Sequence, residues 1–576
     1  MKTVGPVIVA AVSFLPILAG VVRAADDRDL LLSSVIARGS EGHIPLESPV
    51  RSPGDVLAVV AGIDAFPAPC ATPLVLLLAR SEEPLPPVLG QALATLGARP
   101  APDPERMAVT RDGRFAVHYP GAPRTSGLLS TDRDGNGLPD LVDRVSEALA
   151  ASRSYLTGRL GYPPPTPDGE RLDVFLIDLG HGLEGYAVPR AEAQAPFVVL
   201  DGGLAADRVM SATLHQVAHL TLLSMVARAP RWWAEATASY LTLGATGDLK
   251  AHEAALRLRV QSPGRGLADD SLLLMEGALL WPLFLAERSG DPNIVRHVWL
   301  EMATQGLEAP AATDLVLRRY GQTLADAHRE FVAWNQFTGD RDDGQHYSLG
   351  RSLPTAALSA AGPQVPFQIE TPDPIEPLGS AAYRLPGDGR RGTLDFEVSA
   401  EGGRPAADLL IFYHGGTGQP LLVPVVLDAT GTGRVAVPWG DTREAWIILR
   451  NDALPGGAGA ARFEVGGSTD PYAPYDLASF TATQTGESIL LEWTTASEKG
   501  LAAWNIYRSE TPGGPFSRLN QVAVPALGDS ASDTGYIFVD DYLHSGRRYY
   551  YLLEGLTNLG LPQRTHVVSA RVPAAR

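Results

Sequence analysis

Two histidines one helical turn apart, His215 and His219 in the stretch HQVAH, have the spacing that points most directly to chemistry. On a helix, side chains at i and i+4 share a face. Two imidazoles so placed suit zinc, which takes a third protein ligand and, in a catalytic site, keeps a fourth position open. Glu235 in RWWAEATASY is the candidate third ligand. A turn at Ala229-Pro230 lets a second helix fold back beside the first, and Ala234, Ala238 and Ser239 are small enough for close approach. The residue after His215 departs from the HExxH pattern. Gln216 stands where a zinc peptidase carries the glutamate that takes a proton from the attacking water. A neutral amide can hydrogen-bond that water but cannot accept its proton. Losing a general base costs a factor of about 10² to 10⁴. No other carboxylate lies within one turn of His215. The competing reading is core packing. With twelve histidines in the chain, an HxxxH pair alone says little, and Glu235 could be a first-turn acid favoured by the helix dipole. The combination of a mid-helix pair, a preceding strand and a following Trp-x-x-Glu-Ala helix favours the metal.

A second constellation lies upstream, in DRDGNGLPDLVD. Numbered from Asp132, side-chain oxygens fall at positions 1, 3 and 5 as Asp132, Asp134 and Asn136. Gly137 takes the sharp turn at position 6, Leu138 offers a carbonyl at 7, and Asp140 and Asp143 stand at 9 and 12. This is the ligand pattern of a twelve-residue calcium loop, with a shorter aspartate where the last ligand is usually glutamate. The ion would be structural and would fix the entry to a helix over 141–160. The alternative is an Asx/Gly turn with exposed acids and no ion.

The elements that must hold these residues follow from periodicity. RFAVHYP and RLDVFLIDLG read as strands, and PFVVLDGG as a short strand suited to a sheet edge. Helical patterns carry HQVAH and WWAEATASYL and continue to about 338, an α+β organisation. ATPLVLLLAR reads as one buried strand or helix, and GARPAPDPER as a linker. After about 351 the helical period gives way to strand-length runs between Gly, Pro and Asp clusters, a β-sandwich to 467. GGSTDPYAP is a linker to a second all-β unit over 468–576.

The chain has 576 residues, a multidomain length, and a net charge of −18. That balance argues against a protein that coats nucleic acid or an anionic membrane. Residues 1–24 have a short positive n-region, an apolar stretch and a small-residue site at Val22-Arg23-Ala24. They read as a signal peptide rather than an anchor, which leaves no membrane span and predicts a secreted, periplasmic or cell-surface location. Residues 25–107 read as a pro-segment or accessory region. Cys70 is the only cysteine, so no intramolecular disulfide can form.

Together, DRDGNGLPD, FLIDLG, HQVAH and WWAEATASY, in that order, resemble a family of secreted bacterial zinc metalloproteases of the gluzincin type. The resemblance covers about 108–350. It implies a zincin-like fold, zinc on His215, His219 and Glu235, Gln216 at the position of the catalytic glutamate, and an edge strand near FVVLD that pairs with a peptide. It also implies a tyrosine just before Gly277, where this chain has Glu276. The last unit resembles a fibronectin type III domain, with Trp493 in an early strand and Leu543, Gly546, Tyr549 and Tyr551 at the spacing of a tyrosine corner. The fold expected is therefore an α+β zincin-like domain followed by two all-β sandwich domains. The function expected is a secreted zinc peptidase-like protein that binds zinc, with calcium as a structural ion, and is catalytically silent. The alternatives are an active metalloendopeptidase using another base and a non-enzymatic extracellular adhesion or scaffold protein. The expected partners are a peptide or protein ligand and, through the β domains, cell-surface or glycan contacts.

Overall fold

The computed structural model describes residues 70–80, 94, 96–101 and, with short gaps, 105–573. The signal peptide expected at 1–24 and much of the 25–107 region lie outside the described residues. The chain forms two compact units, one of 1–252, 270–282 and 295–309, the other of 253–269, 283–294 and 310–576.

The first unit is built on a five-stranded mixed sheet. Its strands are β1 (Glu105–Val109), β2 (Phe115–Pro120), β3 (Leu172–Ile177), β4 (Gly185–Val188) and β5 (Phe197–Asp201). Their order is β1-β2-β3-β5-β4, with β2-β3 and β3-β5 parallel and the outer pairs antiparallel. The linker expected at GARPAPDPER ends in a strand, because Glu105 and Arg106 pair with Pro120 and Tyr119. FVVLD is not an edge. It becomes β5, enclosed between β3 and β4 and buried from Phe197 to Leu200. The run is apolar at successive positions, which is the pattern of an interior strand. The edge is β4.

Four helices of this unit matter for the site. They are α1 (Thr72–Ala79), α2 (Asp140–Arg153), α3 (Val209–Met225) and α4 (Arg231–Thr246). A π-helical turn, Ser154–Arg159, extends α2. Asp140 and Asp143 in its first turn and Arg153 in its last match the helix dipole. The α3 helix is apolar or small around most of its circumference and is buried from Ala212 to Leu223. That pattern marks a core helix rather than a surface one. Pro230 precedes α4, and Gly247 closes it at φ 68, donating its N–H to Leu243 at 2.7 Å. Ala234, Ala236, Ala238 and Ser239 are buried, and α4 packs along α3.

The second unit holds two sheet pairs. The first joins a five-stranded sheet containing Pro405–Tyr413 and Thr442–Asn451 to a four-stranded sheet containing Thr393–Glu401 and Arg462–Asp470. Leu394, Phe396 and Val398 meet Leu409, Ile411 and Ile447 in its core. The second pair packs Trp493, Trp504, Tyr536, Tyr549 and Tyr551 together. The Tyr549 hydroxyl accepts the His544 N–H at 2.9 Å, the tie that defines a tyrosine corner. The helix Leu324–Asn335 is bound to the first sandwich through buried charge. Arg450 donates to Asp408 at 2.9 Å and to Asp452 at 2.7 Å, while Asp452 also takes His328 Nδ1 at 2.7 Å and Asp408 takes Arg329. Burial alone would raise the Asp452 pKa, but His328 and Arg450 overcome it and hold the carboxyl below its usual range. Removing one member leaves an uncompensated buried charge. Asp408→Ala is expected to cost about 3–5 kcal/mol in urea denaturation, whereas an exposed pair such as Arg434–Glu397 is screened by water and adds little.

Candidate metal centre

The helical pair α3-α4 brings the three sequence-derived ligands together. His215 Nε2 lies 3.1 Å from His219 Nε2, 3.2 Å separates His215 Nε2 from Glu235 Oε1, and 3.0 Å separates His219 Nε2 from Glu235 Oε2. All three side chains are buried. A fourth donor joins them from outside the predicted set. Cys70 Sγ is 3.5 Å from His219 Nε2, and one donor atom from each of the four residues falls within 4.8 Å of the others. Among the described residues this is the one such group of metal-ligating side chains.

The separations test whether a metal fits. Tetrahedral zinc with bonds of about 2.0–2.1 Å to nitrogen and oxygen places those ligand atoms about 3.3 Å apart, and a thiolate at about 2.3 Å falls about 3.6 Å from a nitrogen. The observed 3.0–3.2 Å and 3.5 Å sit close to those edges. Glu235 Oε2, though 3.0 Å from His219 Nε2, accepts no well-directed hydrogen bond. The buried Cys/His/His/Glu cluster could therefore hold a metal ion.

Electrostatics without an ion lead to the same point. Burial opposes charge on both imidazoles, yet Glu235 and the Cys70 sulfur raise both pKa values, His215 well above the ordinary histidine value. Burial would raise Glu235, but the two imidazoles hold it far below the usual carboxylate range. Burial and Glu235 push the Cys70 thiol up, and the histidines bring it down to about 7. With both imidazoles protonated, two N–H bonds would meet across 3.1 Å. A divalent cation that accepts both lone pairs removes that conflict.

Gln216 is buried and faces the same space. Its Oε1 accepts the Thr72 hydroxyl at 2.8 Å, and its Nε2 donates to Cys70 Sγ at 3.4 Å. Glu276 pairs with His252 Nδ1 at 2.8 Å, both buried. His252 Nε2 has no hydrogen-bond partner among the described residues, and His252 and Glu276 line the cavity that His215, Gln216 and Glu235 also line. Neither Cys70 nor His252 was found by spacing. Their signals were a single cysteine beyond disulfide use and a histidine with no periodic partner.

The 132–143 loop folds as a set of Asx turns. Asp132 accepts the N–H groups of Gly135 and Gly137 at 2.9 and 3.0 Å. Asn136 Oδ1 accepts the Leu138 N–H at 2.7 Å, and its Nδ2 donates to Asp134 and Asp143, both at 3.0 Å. Asp140 is used differently, accepting from the Thr131 hydroxyl at 2.6 Å and the Arg133 N–H at 2.9 Å.

No family model matches the chain, and no curated protein matches it. Parts of it are similar to solved structures. A pectate lyase Pel3 from Pectobacterium carotovorum is similar at 12% identity over 16% of this chain, with a TM-score of 0.14. This chain thus covers about a quarter (27%) of that enzyme's length. An Fn3-like protein from Clostridium thermocellum is similar at 19% identity over 18% of this chain and 99% of its own, TM-score 0.14. A beta-1,2-glucanase from Parabacteroides distasonis is similar at 14% identity over 38% of this chain and 34% of its own, TM-score 0.13.

Metal binding to the folded state stabilises it by mass action, by about 4 kcal/mol at a thousandfold excess over Kd. A zinc-selective chelator that spares calcium is expected to lower the Tm of the wild type and to leave His219→Ala unchanged. Protons compete for the imidazoles, and a raised histidine pKa means that they are released only at higher pH. Zinc affinity, followed by competition with a chromophoric chelator, is therefore expected to keep rising as pH climbs through and above 6.5, the ordinary histidine value.

Proposed function

We propose that the chain is a secreted, zincin-like zinc-binding protein of the gluzincin type whose peptidase chemistry is silenced at Gln216. The observation that carries this reading is the convergence of His215, His219 and Glu235 around one point, with Gln216 one residue along the same helix. Zinc held there would supply Lewis acidity towards water and a peptide carbonyl. The protein's own contribution falls short at the proton. Gln216 has no basic atom, and its amide is occupied on both ends, by the Thr72 hydroxyl and the Cys70 sulfur. It holds position and takes up no proton.

A second reading, an active peptidase with another base, has one observation in its favour. The His252–Glu276 pair lines the same cavity, with Glu276 holding His252 Nδ1 and with His252 Nε2 lacking a hydrogen-bond partner among the described residues. The two readings separate in one assay on denatured protein with zinc present. The silent reading expects no cleavage by wild type and a gain in Gln216→Glu assayed with Cys70→Ser, so that the thiol 3.5 Å from His219 Nε2 cannot occupy the open position, within the roughly 10²–10⁴ that a general base supplies. Cleavage by wild type that is lost in both His219→Ala and His252→Gln would establish the second reading instead.

The proposal extends calcium to the 132–143 loop, where Asp132, Asp134, Asn136 and Asp143 are the remaining side-chain ligands once Asp140 is committed to Thr131 and Arg133. Added calcium is expected to raise the Tm, and Asp134→Ala to abolish the rise in the same melting experiment.

A further inference from the structure

We propose that Cys70 is a protein ligand of the metal and that the segment Cys70–Arg80 is a built-in plug. In this arrangement the thiolate closes the coordination position a peptidase leaves open, and the backbone beside it occupies the sheet edge a peptide would use. This rests on the reading of His215, His219 and Glu235 as metal ligands and adds how that site is regulated.

Three independent sets of contacts carry it. The first is the donor geometry. Cys70 is fully buried beside the two imidazoles, at the 3.5 Å from His219 Nε2 that a shared tetrahedral ion requires. A zinc site with three protein ligands is open to substrate, whereas one with four is closed. The second is strand addition. Cys70 forms a parallel bridge with Gly185, the first residue of the edge strand β4, and the Ala71 N–H donates to the Gly185 carbonyl at 3.1 Å. Edge strands are where extended peptides pair with enzymes. Here the chain's own segment holds that place, and the Ala187 N–H is also taken, by the Thr72 hydroxyl at 2.9 Å. Gly185 lets β4 close on β5 and on α3, because a Cβ there would fall 2.7 Å from the Val199 carbonyl oxygen and 3.3 Å from Gln216 Cγ.

The third set is the anchorage of the rest of the segment. The α1 helix packs on β4 and on α4, burying Val75 and Leu76. Its far end is clamped by Arg80, whose guanidinium donates to the carbonyls of Ala227 and Ala229 at 2.8 Å each, in the turn between α3 and α4. The segment therefore touches both metal-bearing helices and the edge strand at once. Thr72 links the plug to the catalytic position itself through Gln216 Oε1.

Cobalt(II) titration of the full chain tests this, since cobalt reports its own ligands. The wild type is expected to show the visible bands of a tetrahedral site together with a thiolate-to-cobalt charge-transfer band in the near ultraviolet. Cys70→Ser should keep the visible bands, lose the charge-transfer band and bind at least about 10-fold more weakly, as loss of a ligand should cost no less than loss of a supporting contact. Visible bands with no charge-transfer band in the wild type would overturn the proposal and leave the three-ligand site standing. No cobalt binding by either protein would remove the metal reading and the proposal with it. Should Cys70→Ser fail to fold, the wild type alone suffices. Cys70 is the sole thiol, so its labelling rate is unambiguous. Protection by zinc that a chelator relieves supports the plug, and equal rates with and without zinc overturn it.

Discussion

The structure around this site depends on how two positively inclined imidazoles and one carboxylate are accommodated in the buried interior. His219 and Glu235 are almost fully buried. Isolated charges there would cost several kcal/mol each, and pairing repays that only when every donor and acceptor has a suitable partner. The backbone arrangement follows from that need. A core helix brings two nitrogens to one face, and a small-residue helix approaches closely enough for a carboxylate to reach both. A sheet behind them fixes the first helix through a short β5-to-α3 connection.

Much of this was legible in the sequence because it is local. The i,i+4 histidines, the Pro230 turn and the run of small residues each rest on contacts within one helical hairpin, where spacing alone fixes geometry. The aromatic spacing of the last unit was legible for the same reason, as Tyr549 bonds back only five residues. The features that escaped are those whose partners are remote. FVVLD, expected at an edge, is enclosed because β4 pairs with it antiparallel, a remote pairing that the local reading does not include. ATPLVLLLAR is a short apolar run, compatible with strand or helix, and resolves as α1 only by packing. Cys70 stands 149 positions from His219, and its neighbour across the sheet, Gly185, carries no side chain to signal it.

Gln216 illustrates why the type of a residue and its setting must be taken together. From its type alone it is a missing base. Its setting adds that both ends of the amide are engaged by a segment that also carries a ligand. A glutamate here would place a carboxylate beside the Cys70 thiolate and Glu235 in a buried space, and like charges so placed raise one another's pKa. The amide avoids that repulsion while keeping the hydrogen bond to Thr72. The exchange of Glu for Gln is thus consistent with a site organised around its plug: a neutral partner suits a closed metal centre, whereas a charged one suits an open centre that must move protons.

The same logic orders the fold's use of its N-terminal region. A segment that only covered the site could do so with apolar side chains, as Val75 and Leu76 do further along. This one places a sulfur, a hydroxyl and a backbone N–H at the three points where a substrate peptide would need a metal, a positioned side chain and a strand partner. Its contacts to Gln216 Oε1, the Gly185 carbonyl and the Ala187 N–H satisfy buried polar groups, at about 1–3 kcal/mol apiece. Displacing the segment therefore exposes several unpaired groups at once. It becomes favourable only when an incoming ligand replaces all of them together.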